Sequence, residues 1–160
     1  MKSFLLANKW RKCAAAAIQI ILSVFCLMYL ISCSPAPDPA FNAIKQVLIE
    51  GEDADTIYES FKANLDKVKD KQIVEILLNY LQGQRQQQEF DISAVRQVAL
   101  YLERISGLKN RMEPMALVGP TYVNMKNWDK DISQWEAWWN ADKDYIYWDE
   151  QAQSLTVKPH

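Results

Sequence analysis

Histidine, glycine and cysteine are scarce in this chain of 160 residues, and each shortage argues against a class of function. The single histidine, His160, is the last residue, so a Ser-His-Asp or Cys-His catalytic arrangement has no other base to use. Four glycines leave little room for a phosphate-binding loop, and neither Gly-x-Gly-x-x-Gly nor Gly-Lys-Ser/Thr occurs. The composition therefore favours a protein that is not an enzyme and that uses no cofactor.

The cysteines lie near the start of the chain, at Cys13, Cys26 and Cys33. The part of the chain after Cys33 therefore has neither a disulfide nor the Cys/His spacing of a zinc site. Asp142 and Asp144 alternate as calcium ligands do, but the glycine bend and the other oxygen ligands of a calcium loop are missing around them. We expect no metal site.

Positive charge is concentrated before Cys33. The formal net charge of the chain is −2, and without the four basic residues before Cys33 the remainder carries −6. After Cys33, every group of lysines and arginines has acidic neighbours. Because nucleic-acid binding relies on a basic footprint, we expect no nucleic-acid partner.

The first 32 residues have the order of a secretory signal. A basic start is followed by residues 13–31, which are apolar apart from Gln19 and Ser23; the basic residues are Lys2, Lys9, Arg11 and Lys12. Positive charge stays on the cytoplasmic side while the apolar run enters the bilayer. The alternative is an uncleaved transmembrane helix, since ~20 apolar residues suffice to span. Both alternatives tether the following domain to a membrane.

The segment Leu30-Ile31-Ser32-Cys33 resembles the lipobox of bacterial lipoproteins. In that family a signal peptidase cuts just before the cysteine, which becomes the acylated first residue. The resemblance implies a signal peptide over 1–32, cleavage between Ser32 and Cys33, and a lipid anchor on Cys33. Ser34, where an aspartate would retain the protein in the inner membrane, favours the outer membrane of the cell envelope.

Residues 33–39 contain prolines at three alternate positions, which predicts an extended tether. A helical pattern follows over 40–112, with four apolar stripes that start at Phe41, Ile57, Ile73 and Ile92. The third helix is apolar around most of its girth and is expected to be central. Turn and cap residues separate the helices: Gly51, Asp53 or Asp55, the loop from Gly83 to Gln88, Asp91 and Gly107.

Residues 95–107 read Val-Arg-x-x-Ala-x-x-Leu-x-x-Ile-x-Gly, which resembles a helix of HEAT repeats. Such helices stack in antiparallel pairs. The order of this helix, the Trp135-x-x-Trp138-Trp139 segment and the aromatic strand 145–148 resembles the tail of bacterial HEAT-repeat proteins. We predict a mainly α fold, either a small helical bundle or HEAT-like helix pairs, with a C-terminal Trp-rich helix and β-hairpin.

Five of the six tryptophans lie between Trp128 and Trp148. Asp131 predicts the cap of a helix that carries three of them, with a capping box of Ser133 and Glu136 as a competing start. Alternation over 145–148 and 154–158 predicts the hairpin. Residues 131–160 are therefore predicted as a Trp-rich helix and hairpin. Residues 113–130 are predicted as a linker whose prolines and glycine exclude one continuous helix.

Tryptophan rings stack on sugars and peptides, so a possible ligand or partner surface consists of Trp128, Trp135, Trp138 and Trp139. Trp138 is expected to be the most exposed. The alternative is that these rings form the core of a domain without disulfides. The function we expect is a membrane-anchored, non-catalytic scaffold that binds an envelope protein. The alternatives are a peptidoglycan or glycan binder that uses these tryptophans, and a hydrolase that uses nearby carboxylates: Asp129, Asp131, Asp142, Asp144, Asp149 and Glu150.

Overall fold

The computed structural model describes residues 37–115 and 119–158, so the predicted signal peptide, Ser32 and Cys33 lie outside the described residues. The described elements are α1 (Pro39–Glu50), α2 (Ala54–Asn64), a 3-10 turn (Leu65–Lys67), α3 (Ile73–Arg85), α4 (Ile92–Ser106), β1 (Glu113–Met115), β2 (Gly119–Thr121), α5 (Met125–Asp142), β3 (Ile146–Asp149) and β4 (Ser154–Val157). β1 pairs with β2 and β3 pairs with β4, both antiparallel. The prediction of a mainly α fold with a C-terminal Trp-rich helix and hairpin is confirmed.

Aspartates begin three of the helices, and glycines end two of them. The Asp53 carboxylate accepts a hydrogen bond from the amide of Thr56 at 3.0 Å, so Asp53 rather than Asp55 caps α2. Asp91 caps α4, as its position predicts. Gly51 and Gly107 follow α1 and α4 with φ of 67° and 71°, a left-handed conformation that glycine adopts without steric cost. The predicted boundaries of α1 and α4 are thereby confirmed.

The helices run up and down between two ends of the folded body. We call one end the entry pole. It consists of Asp38, where the folded body begins, residues 65–71, and the turn between β3 and β4. The far pole comprises the α1–α2 turn at 51–53 and residues 86–91, between α3 and α4. At the entry pole, Lys69 Nζ lies 3.2 Å from the Glu150 carboxylate. The Arg104 guanidinium at the end of α4 pairs with Asp66 at 2.5 Å.

α5 runs antiparallel to α3 along its length. Near the far pole, the Arg85 guanidinium donates two hydrogen bonds to the Asp129 carboxylate, at 2.8 and 3.1 Å. Near the entry pole, Lys71 Nζ donates to the carbonyl of Lys143 at 2.5 Å. These contacts place the Trp-rich helix against the central helix of the body.

One hydrophobic core joins the helices to the second hairpin. It extends from Ala40 in α1 to Leu155 in β4, and α3 contributes five buried residues to it: Ile73, Val74, Leu77, Leu78 and Leu81. Burial of each such aliphatic side chain contributes ~1.5–3 kcal/mol. The chain from Asp38 onward accordingly forms a single compact unit, in which the Trp-rich helix and its hairpin share the core of the preceding helices.

The prediction of a linker over 113–130 is wrong, because this stretch contains the β1–β2 hairpin and the first turn of α5. Pro114 pairs with Pro120 in this hairpin, and because neither has an N–H, the ladder hydrogen bonds fall to the neighbouring pairs. The segment is also tied to the core, since Tyr122 is buried. The prolines do exclude a continuous helix, as predicted.

Two further boundaries differ from the prediction. α3 continues to Arg85 and so includes three residues that were predicted to lie in a loop. α5 begins at Met125, where the Asn124 side chain accepts from the amide of Lys126 at 2.9 Å, and Asp131 lies in the interior of this helix. The capping box is also absent, since Ser133 Oγ donates to the carbonyl of Asp129 at 2.8 Å.

Candidate functional site

The tryptophans of the predicted ligand surface lie mostly in the core. Trp128 and Trp135 have no exposed area, and Trp138 is 9% exposed. The Trp128 ring stacks on Tyr122, with centroids 5.2 Å apart, and meets the Phe90 ring edge-on at 4.8 Å. A ligand surface formed by Trp128, Trp135 and Trp138 is therefore excluded, and the alternative that these rings form the core is confirmed, because α5 turns this side toward the core. Trp139 is only partly buried, so the expectation that Trp138 is the most exposed of the four is wrong.

Asp131 belongs to a buried polar cluster rather than to a cleft. Its carboxylate has no exposed area and accepts hydrogen bonds from the Arg111 backbone amide at 2.6 Å and from the Tyr122 hydroxyl at 2.9 Å. The Arg111 guanidinium also pairs with it. Burial, assisted by the neighbouring Asp131 charge, raises the pKa of the Tyr122 phenol. This cluster fixes the segment before β1 to α5.

Other acids near the tryptophans have structural partners as well. Asp129 pairs with Arg85. The Asp149 carboxylate accepts from the amides of Gln151 and Ala152 at 2.8 and 3.1 Å, and so closes the turn between β3 and β4. These carboxylates hold helices and turns together, which is the structural role that such acids more often have.

A cleft of about 600 Å³ opens at the far pole. We call it the far-pole cleft and define it by Leu48, Glu52, Ile57, Tyr80, Gln84, Glu89, Phe90 and Asp91, which lie along its wall. Two chain reversals bring these residues together. Gly51 ends α1, the 86–91 loop connects α3 to α4, and the two chain reversals lie side by side at the far pole.

Two residues that line the far-pole cleft, Tyr80 and Asp91, each carry a shielded oxygen with no hydrogen-bond partner among the described residues. The Tyr80 hydroxyl is shielded from solvent and unpaired, while its ring packs edge-on against Phe61 with centroids 5.2 Å apart. Asp91 uses one carboxylate oxygen to accept from the amides of Ser93 and Ala94, at 2.9 and 3.0 Å. Its second oxygen is shielded and unpaired. Desolvation and the nearby Asp91 charge raise the pKa of Tyr80, so its hydroxyl stays protonated.

The charge of the far-pole cleft is negative. Glu52, Glu89 and Asp91 contribute carboxylates to its wall, which contains no lysine or arginine. The apolar part of the wall comes from Leu48, Ile57 and Phe90. The combination is suited to a ligand that carries a positive hydrogen-bond donor on an apolar stem.

A second concavity of about 380 Å³ lies between α2 and α4, toward the entry pole. Leu100, which is 44% exposed, and Tyr101 line it. The Arg104 guanidinium lies 5.2 Å from the centre of the Tyr101 ring and pairs with Asp66, so the charges at its rim are balanced. This concavity favours no particular ligand chemistry.

Comparisons with protein-family models, curated proteins and solved structures give no match. Within residues 37–115 and 119–158, no three metal-ligating side chains come together in a group that would hold a metal ion. Across the same residues, none of the helices combines the length and the apolar character needed to cross a bilayer.

The sequence contained only part of the signal for the far-pole cleft. Asp91 is recognisable as a helix cap, but it lies near Tyr80 only because α3 packs against α4. The 83–88 segment has the composition of a solvated connector, and nothing in that composition marks it as the edge of a cleft.

Proposed function

We propose that this protein is a bacterial lipoprotein, anchored to the membrane through Cys33, whose helical body is a non-catalytic scaffold that binds an envelope protein. The lipobox-like segment supports the anchor, and the Pro-rich tether supports a body held close to the bilayer. The outer membrane is the favoured location because Ser34 follows the cysteine.

The observation that carries this proposal is how soon the folded body begins after Cys33. Asp38 lies five residues further on, and its carboxylate accepts from the amides of Ala40, Phe41, Lys69 and Asp70, at 2.6 to 3.2 Å. It thereby caps α1 and ties the chain to the turn before α3. Five residues reach at most about 18 Å, so a lipid on Cys33 would keep the entry pole near the membrane.

The same topology would direct the far-pole cleft toward partners. α1 spans 12 residues from the entry pole to the far pole, which is about 18 Å of helix. A body anchored at Asp38 would therefore present the far-pole cleft on the side away from the point of attachment. This arrangement suits a scaffold that captures another protein above the membrane surface.

Mass analysis of the full-length chain expressed in a bacterium tests the anchor. We expect a mature N-terminal peptide that begins at Cys33 and carries acyl chains, and we expect the protein in the membrane fraction. Cys33→Ser is the matched control, because it preserves size and polarity but removes the thiol that would be acylated. An intact Met1 or an unmodified Cys33 thiol in the wild-type protein would contradict the proposal.

A further inference from the structure

The outer face of the β3–β4 hairpin presents two tyrosines to solvent. Tyr145 and Tyr147 are 46% and 38% exposed, whereas Ile146 between them is buried. On β4, Thr156 lies opposite Tyr147, and Lys158 Nζ lies 5.2 Å from the centre of the Tyr147 ring. We call Tyr145, Tyr147, Thr156 and Lys158 the hairpin face. It combines aromatic rings, hydroxyl groups and an ammonium group on one exposed surface.

The hairpin face lies at the entry pole, beside the start of the folded body. Just before this face, the carbonyl of Lys143 accepts a hydrogen bond from Lys71 Nζ at 2.5 Å. Within β3, the centre of the Trp148 ring lies 5.2 Å from Lys69 Nζ. The Lys69 amide in turn donates to the Asp38 carboxylate at 2.6 Å. The two tyrosines are therefore held between two contacts with the loop that binds Asp38.

We infer that the hairpin face contacts the surface of a zwitterionic lipid bilayer, the membrane to which Cys33 is attached. This inference rests on the proposed anchor and specifies how the body is oriented on it. Asp38 follows Cys33 by five residues, which reach at most about 18 Å, so the anchor would bring the entry pole to the bilayer. Tyrosine is favoured at membrane interfaces, because its ring is apolar and its hydroxyl can hydrogen-bond to water and headgroups.

The charges around the hairpin face suit a zwitterionic bilayer better than an anionic one. The Lys158 ammonium is a donor that can pair with a lipid phosphate. Acidic residues flank the face at Asp144, Asp149 and Glu150, and the Glu150 carboxylate is paired with Lys69 at 3.2 Å. Because these charges offset one another, a net attraction to anionic lipid is not expected. The aromatic rings supply the contact instead.

The short tether favours a bilayer over other ligands of aromatic surfaces. Sugars also stack on tyrosine rings, and a glycan is the strongest competing occupant of the hairpin face. A glycan strand would have to enter the space between the entry pole and the membrane, however. With Cys33 inserted in the bilayer through its acyl chains, lipid headgroups already lie within reach of that space. The position of the face beside Asp38 therefore points to lipid.

Hydroxyl-radical footprinting of the full-length chain on phosphatidylcholine vesicles tests this inference, with oxidation of each tyrosine measured by mass spectrometry. Tyr58 on α2 is the internal reference, since Lys62 Nζ likewise lies 5.6 Å from the centre of its ring. Tyr58 is partly buried, so Tyr145 and Tyr147 should oxidise faster than Tyr58 if nothing covers them. On vesicles we expect them to oxidise several-fold more slowly than Tyr58. Oxidation at or above the rate of Tyr58 would overturn the inference.

The substitution Tyr147→Ser removes one of the two rings and leaves Tyr145 as a reporter. We expect oxidation of Tyr145 on vesicles to rise several-fold. This is more than the gain from removing a neighbour, because Tyr145 is already 46% exposed. Tyr58→Ser is the matched control, since it also removes a ring beside a lysine, and it should leave Tyr145 protected. A Tyr147→Ser variant that is folded by circular dichroism and keeps Tyr145 protected would contradict the inference.

Soluble peptidoglycan fragments separate a glycan from the bilayer. Tyrosines that stay reactive on vesicles and become protected only when these fragments are added would assign the hairpin face to a glycan and overturn the inference. The intact mass of the same sample reports acylation, so reactive tyrosines on an acylated chain contradict this inference and not the anchor. If the chain were uncleaved and unacylated, the anchor proposal would fail. Residues 13–31 would still hold Asp38 at the vesicle surface, and the footprint would still decide.

Discussion

The two poles of the helical body use the same residue type in opposite ways. Asp38 at the entry pole and Asp91 at the far pole both cap a helix with one carboxylate oxygen. At the entry pole the second oxygen accepts from the amides of Lys69 and Asp70, at 2.6 and 3.1 Å. At the far pole the second oxygen has no partner. One pole uses both carboxylate oxygens to hold the fold together, whereas the other uses only one.

The largest effect should come from Asp38→Ala. It removes the cap of α1 and leaves the amides of Lys69 and Asp70 without an acceptor, so we expect the free energy of unfolding to fall by about 2–3 kcal/mol. Asp38→Asn should cost less, because asparagine still caps the helix. Urea denaturation of the full-length chain measures both. If Asp38→Asn were as stable as the wild type, the second carboxylate oxygen would contribute nothing and the comparison of the poles would fail.

The contribution of Asp38 should also depend on pH. Burial works against its ionisation, but hydrogen bonds from the amides of Lys69, Phe41, Asp70 and Ala40 outweigh this and hold the pKa below its usual value. Because the folded pKa is the lower one, the stabilisation is complete above the unfolded pKa of about 3.9 and is lost as the pH falls through the folded pKa.

The stability difference between wild type and Asp38→Ala, measured at several pH values, checks this. The difference should be constant near neutral pH and should shrink below about pH 4. Asp53 and Glu150 also have lowered pKa values, but both variants retain them, so the difference isolates Asp38. A difference that grows on acidification would contradict the sign.

The sequence predicts those features of the two poles that depend only on neighbouring residues. The caps at Asp53 and Asp91 and the stops at Gly51 and Gly107 depend on neighbouring residues, and all four are confirmed. The predicted start of α5 at Asp131 is wrong. Aspartate is a typical helix cap, and only the hydrogen bond from Tyr122 shows that Asp131 is buried inside the helix.

The burial of the tryptophans and the far-pole cleft depend on contacts between distant parts of the chain. Spacing places Trp135, Trp138 and Trp139 on one side of a helix but does not say whether that side faces solvent. Likewise, Tyr80 and Phe90 become parts of one cleft only when the turns at 51–53 and 86–91 pack side by side. The far-pole cleft is therefore less visible in the sequence than the helices are.

The smallest effect, and the most diagnostic, should come from Tyr80→Phe. Because the Tyr80 hydroxyl is shielded and unpaired, its removal should raise the free energy of unfolding by about 0.5–1 kcal/mol. Tyr122→Phe is the matched control, since that hydroxyl donates to Asp131 at 2.9 Å.

The control should lower the free energy of unfolding by about 1.5–3 kcal/mol, as expected for a hydrogen bond to a charged group. Urea denaturation of the two variants side by side thus tests whether the Tyr→Phe substitution changes the free energy of unfolding in opposite directions. The Tyr122 hydroxyl has a hydrogen-bond partner and the Tyr80 hydroxyl does not. If Tyr80→Phe lowered the free energy of unfolding as Tyr122→Phe does, the Tyr80 hydroxyl would have a partner within the folded protein. The far pole would then be built for stability, as the entry pole is.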